Sequence, residues 1–220
     1  ETINVIKNRL KELEGKVQIS GSGFKLGIGI ACSYKNVGIG LGTTDDAGAE
    51  VELLENGCFE VRTGSAEMGQ GTSSLVAQIV AHELKVPYEE IRVVSCDTAL
   101  CPQGGVTTAS RQTYVTGNAV RIAASDMYTF LKSKYSRDEL IPIEGRKIIW
   151  QELRSLKEDT CISRVYAPPK TYDYREDGNR NKNSMIEEFD IHYAYCFNTC
   201  AVILEVDEKF GKVNVLKIIE

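Results

Sequence analysis

Apolar residues recur along this chain in two registers, and each change of register marks a new element. Ile3, Ile6, Leu10 and Leu13 fall at helical spacing with Lys and Glu between them. That pattern predicts an amphipathic helix over 3–13, ended by Gly15. After a coil with glycines at 21 and 23, residues 25–33 are apolar and small and read as a buried strand. Residues 49–54 and 57–63 read as a hairpin about Glu55-Asn56-Gly57, because Asn-Gly favours a tight reversal. Helical spacing returns at Leu75, Val76, Ile79, Val80 and Leu84, with Pro87 as the breaker. Residues 91–95 form a further strand. Val115, Ala119, Ile122, Ala123, Phe130 and Leu131 predict a second helix from near Ser110 or Thr113 to about Tyr135, with Gly117 as a close-packing site inside it. Between 136 and 166 the pattern is mixed: 147–150 reads as a strand and 151–157 as a helical turn or two. Ala167-Pro168-Pro169 and the polar run 173–184 read as an exposed loop. Residues 193–207 and 212–219 read as two strands about 208–211. The fold class is therefore α+β, with mixed β-sheets packed against two long helices.

Two polar turns interrupt this pattern: SAEMGQGTSS (65–74) and CPQGGVTTASRQT (101–113). Each follows a strand-like run and opens a helical one. The first N–H groups of a helix lack internal partners, and the helix dipole favours negative charge there. Gly69 and Gly71 leave the backbone uncovered, as do Gly104 and Gly105 on the second turn. Thr72, Ser73 and Ser74, and then Thr107, Thr108 and Ser110, supply hydroxyls. Gln70 and Gln112 each offer a carbonyl and an amide, which suits the edge of a heterocycle better than a bare phosphate. The plainer reading has these residues only turning the chain and capping two helices. GIGLGT at 38–43 has the wrong spacing for a dinucleotide loop, and no helical pattern follows it, so its glycines are expected to pack against neighbouring backbone.

Composition narrows the possibilities. The 220 residues are 42% hydrophobic, as in ordinary soluble globular proteins. The net charge of -5, with no long basic run, gives no electrostatic support to nucleic-acid or anionic-membrane binding. No stretch approaches the roughly 18 apolar residues of a membrane helix. The seven cysteines, an odd number, form no C-x-x-C pair, and the only histidines are His82 and His192. This argues for reduced cytoplasmic thiols and against a structural metal site. Both histidines read most simply as structural, one on a helix face and one at a strand end. The start at Glu1 and the stop at Glu220 directly after VNVLKII suggest a piece of a longer polypeptide.

EMGQGTSS, with Ser110 of GGVTTASRQT forty residues after Gln70, resembles the molybdopterin-binding region of the xanthine dehydrogenase and aldehyde oxidase family. The resemblance extends to KLGIGIACSYKNVGIG upstream and YAYCFNTCAVILEVDEKFGKVNVLKIIE downstream, and is least distinctive between about 135 and 166. It implies that 1–220 is part of a molybdopterin-binding domain of a large subunit. About 25–135 would form the core with both turns, and about 136–220 a second half with the terminal strand pair. It also implies a molybdenum–molybdopterin cofactor held by Gly69, Gln70, Gly71, Thr107, Thr108, Ala109, Ser110 and Gln112, with the Ala109 main chain close to the metal. Arg111 stands where some relatives have a small residue, and Gln112 where some have a serine. The family hydroxylates aldehydes or nitrogen heterocycles with oxygen from water, passing electrons to FAD and 2Fe-2S centres in partner subunits or domains. Its catalytic glutamate lies in a GVGE-like motif that these 220 residues lack, and its upstream glycine- and arginine-containing segment is missing as well. The 220 residues alone are therefore expected to be inactive. The rival expectations are a non-catalytic phosphate- or nucleotide-binding module and a subunit-contact domain.

Overall fold

The computed structural model describes residues 1–135, 141–172 and 191–220. The polar run expected as a loop over 173–184 lies outside the described residues. The chain forms two compact units, 1–36 with 195–220, and 37–194.

The first unit contains α1 (Thr2–Leu13), β1 (Phe24–Val37), and two strands from the end of the chain. These are β6 (Ala194–Asp207) and β7 (Val213–Ile219), and the sheet order is β1-β6-β7. The helix and the terminal strand pair match the hydrophobic pattern, and β6 and β7 pair antiparallel. One face of β6 is buried through Thr199, Ala201, Ile203 and Glu205, and Ile6 of α1 is buried too. The Glu205 carboxylate accepts from the Ser20 backbone N–H at 2.8 Å, the Ser20 hydroxyl at 2.7 Å and the Asn214 amide at 3.1 Å. The expected burial of β1 is not found: Leu26, Ile28 and Ile30 are each about half exposed. A three-stranded sheet with one twelve-residue helix has too little apolar cover for both faces.

The second unit is built on a four-stranded sheet in the order β4-β3-β2-β5. Its strands are β2 (Ala47–Leu53), β3 (Phe59–Thr63), β4 (Ile91–Ser95) and β5 (Cys161–Tyr166). β2 pairs antiparallel with β3 and with β5, whereas β3 and β4 are parallel. Among the described residues, this unit's α-helices are α2 (Thr72–Leu84), α3 (Gly117–Tyr135) and α4 (Ile143–Ser155). Ala49, Val51, Leu53, Phe59 and Val61 bury one face of the sheet against Val76, Val80, Ala119, Val120, Ala123 and Met127 of α2 and α3. Alternation puts Glu50, Glu52, Glu60 and Arg62 on the other face, where the Arg62 guanidinium bridges all three carboxylates. No described helix is long and apolar enough to cross a membrane.

Several elements differ in detail from the sequence pattern. The β2–β3 reversal pairs Leu53 with Phe59, so its loop is longer than a two-residue turn. Lys85 ends α2 in the left-handed conformation, two residues before Pro87 acts. The strand expected over 147–150 is instead part of α4. Pro142 starts this helix, and Ile149 and Leu153, four apart, reach the core together. Strand β5 has no counterpart in the sequence pattern. Gly117 does pack closely, since a Cβ there would lie 3.2 Å from Ile79 Cδ1.

Candidate functional site

Strands β3 and β4 run parallel with Thr63 opposite Ser95. The chain therefore leaves both strands at the same end of the sheet, and both polar turns start there. This is the end at which open sheets with parallel strands place ligands. The turns meet through their glycines. A Cβ on Gly64 would lie 2.5 Å from the Gly104 nitrogen, and one on Gly104 would lie 2.6 Å from the Gly64 carbonyl carbon. Thr107 Oγ1 then bridges them, accepting from the Ala66 backbone N–H at 2.9 Å and the Gln112 side-chain amide at 2.8 Å.

Within the first turn, the Glu67 carboxylate takes up the amides that open α2. It accepts from Gly69 N–H at 2.8 Å, Gly71 N–H at 3.0 Å and Ser73 N–H at 3.0 Å. Donation from Ser73, then Gly71, holds the Glu67 carboxyl below its ordinary pKa. The α2 start expected to be open to an outside anion therefore already carries one of its own. Gly69 and Gly71 have positive φ, and no atom lies within 4 Å of where their Cβ would be. Gln70, between them, is exposed. Its Oε1 accepts from Met68 N–H at 2.6 Å and its Nε2 donates to Ala66 C=O at 2.7 Å. One N–H and one lone pair of that amide stay available.

The second turn contains a left-handed pair, Ala109 (φ 51) and Ser110 (φ 54). Non-glycine residues adopt this conformation at a cost and cluster at functional sites. Gly38 N–H, donating to Ala109 C=O at 2.9 Å, helps to hold the pair. The Thr108 and Ser110 side chains are exposed, and their hydroxyls have no partner among the described residues. Gln112 is placed differently: it is buried in a π-helical turn over Gln112–Thr116 that leads into α3. Its Oε1 accepts from the Thr116 hydroxyl, so its amide serves Thr107 and Thr116 within the protein.

Beneath this turn lies a cation that the sequence pattern does not single out as structural. Arg111 is 1% exposed and paired with Asp45. It donates to the carbonyls of Gly104 at 2.7 Å, Val106 at 3.0 Å and Asp46 at 2.7 Å. Asp45 also accepts from Ile39 N–H at 2.8 Å and the Tyr193 hydroxyl at 3.1 Å. Burial first, then the Asp45 charge, raises the Tyr193 pKa. Of the glycines in 38–43, Gly38 and Gly40 pack closely, Gly40 against backbone as expected and Gly38 against a side chain. Gly38 lies against the Tyr193 ring, and a Cβ on Gly40 would be 2.3 Å from the Ile191 carbonyl.

Known proteins resemble this chain in both sequence and fold. A family model described as "Molybdopterin cofactor-binding domain" matches residues 6–220. The chain is 26% identical over 201 residues to "Carbon monoxide dehydrogenase large chain" of Hydrogenophaga pseudoflava, covering 86% of this chain and 25% of that protein. It is 38% identical over 100 residues to "Xanthine dehydrogenase molybdenum-binding subunit" of Escherichia coli O157:H7, covering 44% of this chain and 13% of that protein. Against "6-hydroxypseudooxynicotine dehydrogenase complex subunit gamma" of Paenarthrobacter nicotinovorans, it is 38% identical over 112 residues, or 51% of this chain and 14% of that one. The chain thus spans about a quarter or less of these relatives' lengths. Its fold resembles that of the Desulfovibrio gigas aldehyde oxidoreductase (TM-score 0.68, 20% identity, 99% of this chain, 22% of that one). It also resembles that of the Desulfovibrio desulfuricans aldehyde oxidoreductase (TM-score 0.67, 19% identity, 99% of this chain, 22% of that one). With the family model spanning 6–220, the chain belongs to the molybdopterin cofactor-binding domain family found in xanthine dehydrogenase, CO dehydrogenase and aldehyde oxidoreductase large subunits.

Proposed function

We propose that residues 1–220 form part of the molybdenum-cofactor cradle of a xanthine dehydrogenase- or aldehyde oxidase-like hydroxylase. Its substrates are purine-like heterocycles or aldehydes, and water is the oxygen source. The observation that carries this reading is the convergence of both turns through Thr107, with the left-handed Ala109–Ser110 pair beside them. The residues fit a polar heterocyclic group. Gly69 and Gly71 leave open space, Gln70 keeps a free donor and acceptor, and the Thr108 and Ser110 hydroxyls are exposed and unpartnered among the described residues. Thr107 and Gln112 hold the two turns at a fixed separation. When bound, the cofactor supplies the two-electron oxidising centre of the hydroxylation. The rival phosphate-binding module is less favoured, because Glu67 already occupies the α2 amides such a module would use.

The working enzyme then comprises the rest of the large subunit together with FAD-binding and iron–sulfur (2Fe-2S) subunits or domains, in the cytoplasm. The names of the relatives, a "complex subunit gamma" and a "molybdenum-binding subunit", support a multi-subunit assembly. Seven cysteines with no disulfide among them suit a reducing compartment. The test is Gln70→Ala in the full-length parent. Losing the free donor and acceptor should cost about 1–3 kcal/mol of cofactor interaction. Metal analysis should find reduced molybdenum per protein, or steady-state kinetics a reduced turnover. Wild-type molybdenum content with wild-type turnover would remove the first turn from the site.

A further inference from the structure

The Glu67–Gly71 loop lacks the usual source of a fixed shape. Glu67, Met68, Gly69, Gln70 and Gly71 are all exposed, and Met68 is 69% exposed. Neither glycine meets a neighbour within 4 Å of where a Cβ would stand. Packing therefore does not set this loop, and two glycines in five residues give it high conformational entropy when free. What does set it is side-chain hydrogen bonding: the Gln70 amide ties Met68 N–H and Ala66 C=O together, and the rest of the anchoring comes from the Glu67 carboxylate. Oε1 accepts from both Gly69 N–H and Gly71 N–H, and Oε2 accepts from Ser73 N–H. The Met68–Gly69 and Gln70–Gly71 peptide units are thereby pinned to one oxygen, and the loop is anchored to the start of α2.

Resting on the cofactor reading above, we propose that Glu67 is a positioning residue, whose task is to fix the backbone around Gln70 so that its amide faces the cofactor. Glu67 acts through Gln70. Its carboxylate is committed to backbone donors, so it makes no contact with the cofactor itself. The cofactor contacts of the first turn then come from the Gln70 side chain, and the amides of Gly69 and Gly71 serve Glu67.

The experiment is a double-mutant cycle in the full-length holoenzyme with Glu67→Ala, Gln70→Ala and both together, plus Glu67→Gln. The readouts are molybdenum retained per protein during prolonged dialysis, the kcat/KM split, and the thermal midpoint. Each single alanine variant is expected to shorten cofactor retention by about tenfold, equivalent to losing one good hydrogen-bonding interaction. The double variant should be no worse than Gln70→Ala alone. Glu67→Gln keeps a carbonyl oxygen for Gly69 and Gly71 and should recover most of the loss, with the thermal midpoint within a few degrees of wild type throughout. A double variant that loses the product of the two single effects would overturn the proposal and leave the cofactor reading standing. So would Glu67→Ala at wild-type retention. Gln70→Ala at wild-type retention would overturn the proposal, and wild-type turnover besides would remove the first turn from the site.

Discussion

Arg111 is where a single change should cost most. Replacement by Met keeps the length of the side chain and removes the guanidinium. Asp45, with its side chain 3% exposed, then keeps only the Ile39 N–H and the Tyr193 hydroxyl. The carbonyls of Gly104, Val106 and Asp46 lose this donor. Breaking a buried ion pair from one side costs about 3–5 kcal/mol. Each carbonyl stripped of its donor costs up to about 1–3 kcal/mol, though water reaches the exposed Val106 and the contributions do not sum. A loss of about 4 kcal/mol is expected, against a total of about 5–15 kcal/mol for a typical domain. Arg111→Lys keeps the charge beside Asp45 but cannot reproduce the fork of donors, so it should lose about 1–2 kcal/mol. Urea unfolding followed by the fluorescence of Trp150, which packs against the main core, measures both. Arg111→Met within about 1 kcal/mol of wild type at an unchanged m-value would refute the clamp.

Gly104→Ala should drive a methyl group into the Gly64 backbone, 2.6 Å away, and cost about 1–3 kcal/mol by overpacking; urea unfolding reads it, and a neutral result would mean that the turns can separate. The Glu67 pKa is depressed in the folded state, so its stabilisation of the loop is complete above the ordinary value of 4.5 and is lost as pH falls below it. Hydrogen exchange at Gly69, Gly71 and Ser73 should therefore quicken relative to other amides below that pH in wild type and show no such step in Glu67→Gln. The purified 220-residue chain should reduce no dye with purine or aldehyde substrates above a buffer control, because it has no GVGE-like segment.

Most helices and strands follow from periodicity because their apolar faces are regular. Strand β4 coincides with the pattern residue for residue, and α1, α2 and the β6–β7 pair nearly so. The misses have local causes. In α4, the run Lys147-Ile148-Ile149-Trp150 is β-rich in composition, while Ile148 is 64% exposed, Ile149 is buried in the core and Trp150 packs at its edge. Strand β5 lacks clean alternation, since Ser163, Arg164 and Val165 are all exposed in succession. β1 reads as buried because it is apolar, yet the one described helix of its unit leaves Leu26, Ile28 and Ile30 about half exposed. At the site, the glycines and hydroxyls mark the turns, but the residues that shape them lie elsewhere. Glu67 reaches its amides at spacings of two, four and six, a carboxylate-capping signal visible in E-x-G-x-G-x-S. Asp45 stands 66 residues before Arg111, and no local pattern connects them.

The central claim is that both turns face one cofactor. A crystallographic or electron-microscopic structure of the intact, molybdenum-loaded parent enzyme tests it most directly. The expected result has the Gln70 side-chain amide and the Ala109–Ser110 main chain, or the adjoining hydroxyls, at about 2.7–3.2 Å from cofactor atoms. A cofactor held elsewhere in the subunit, with both turns facing only polypeptide or solvent, would contradict it.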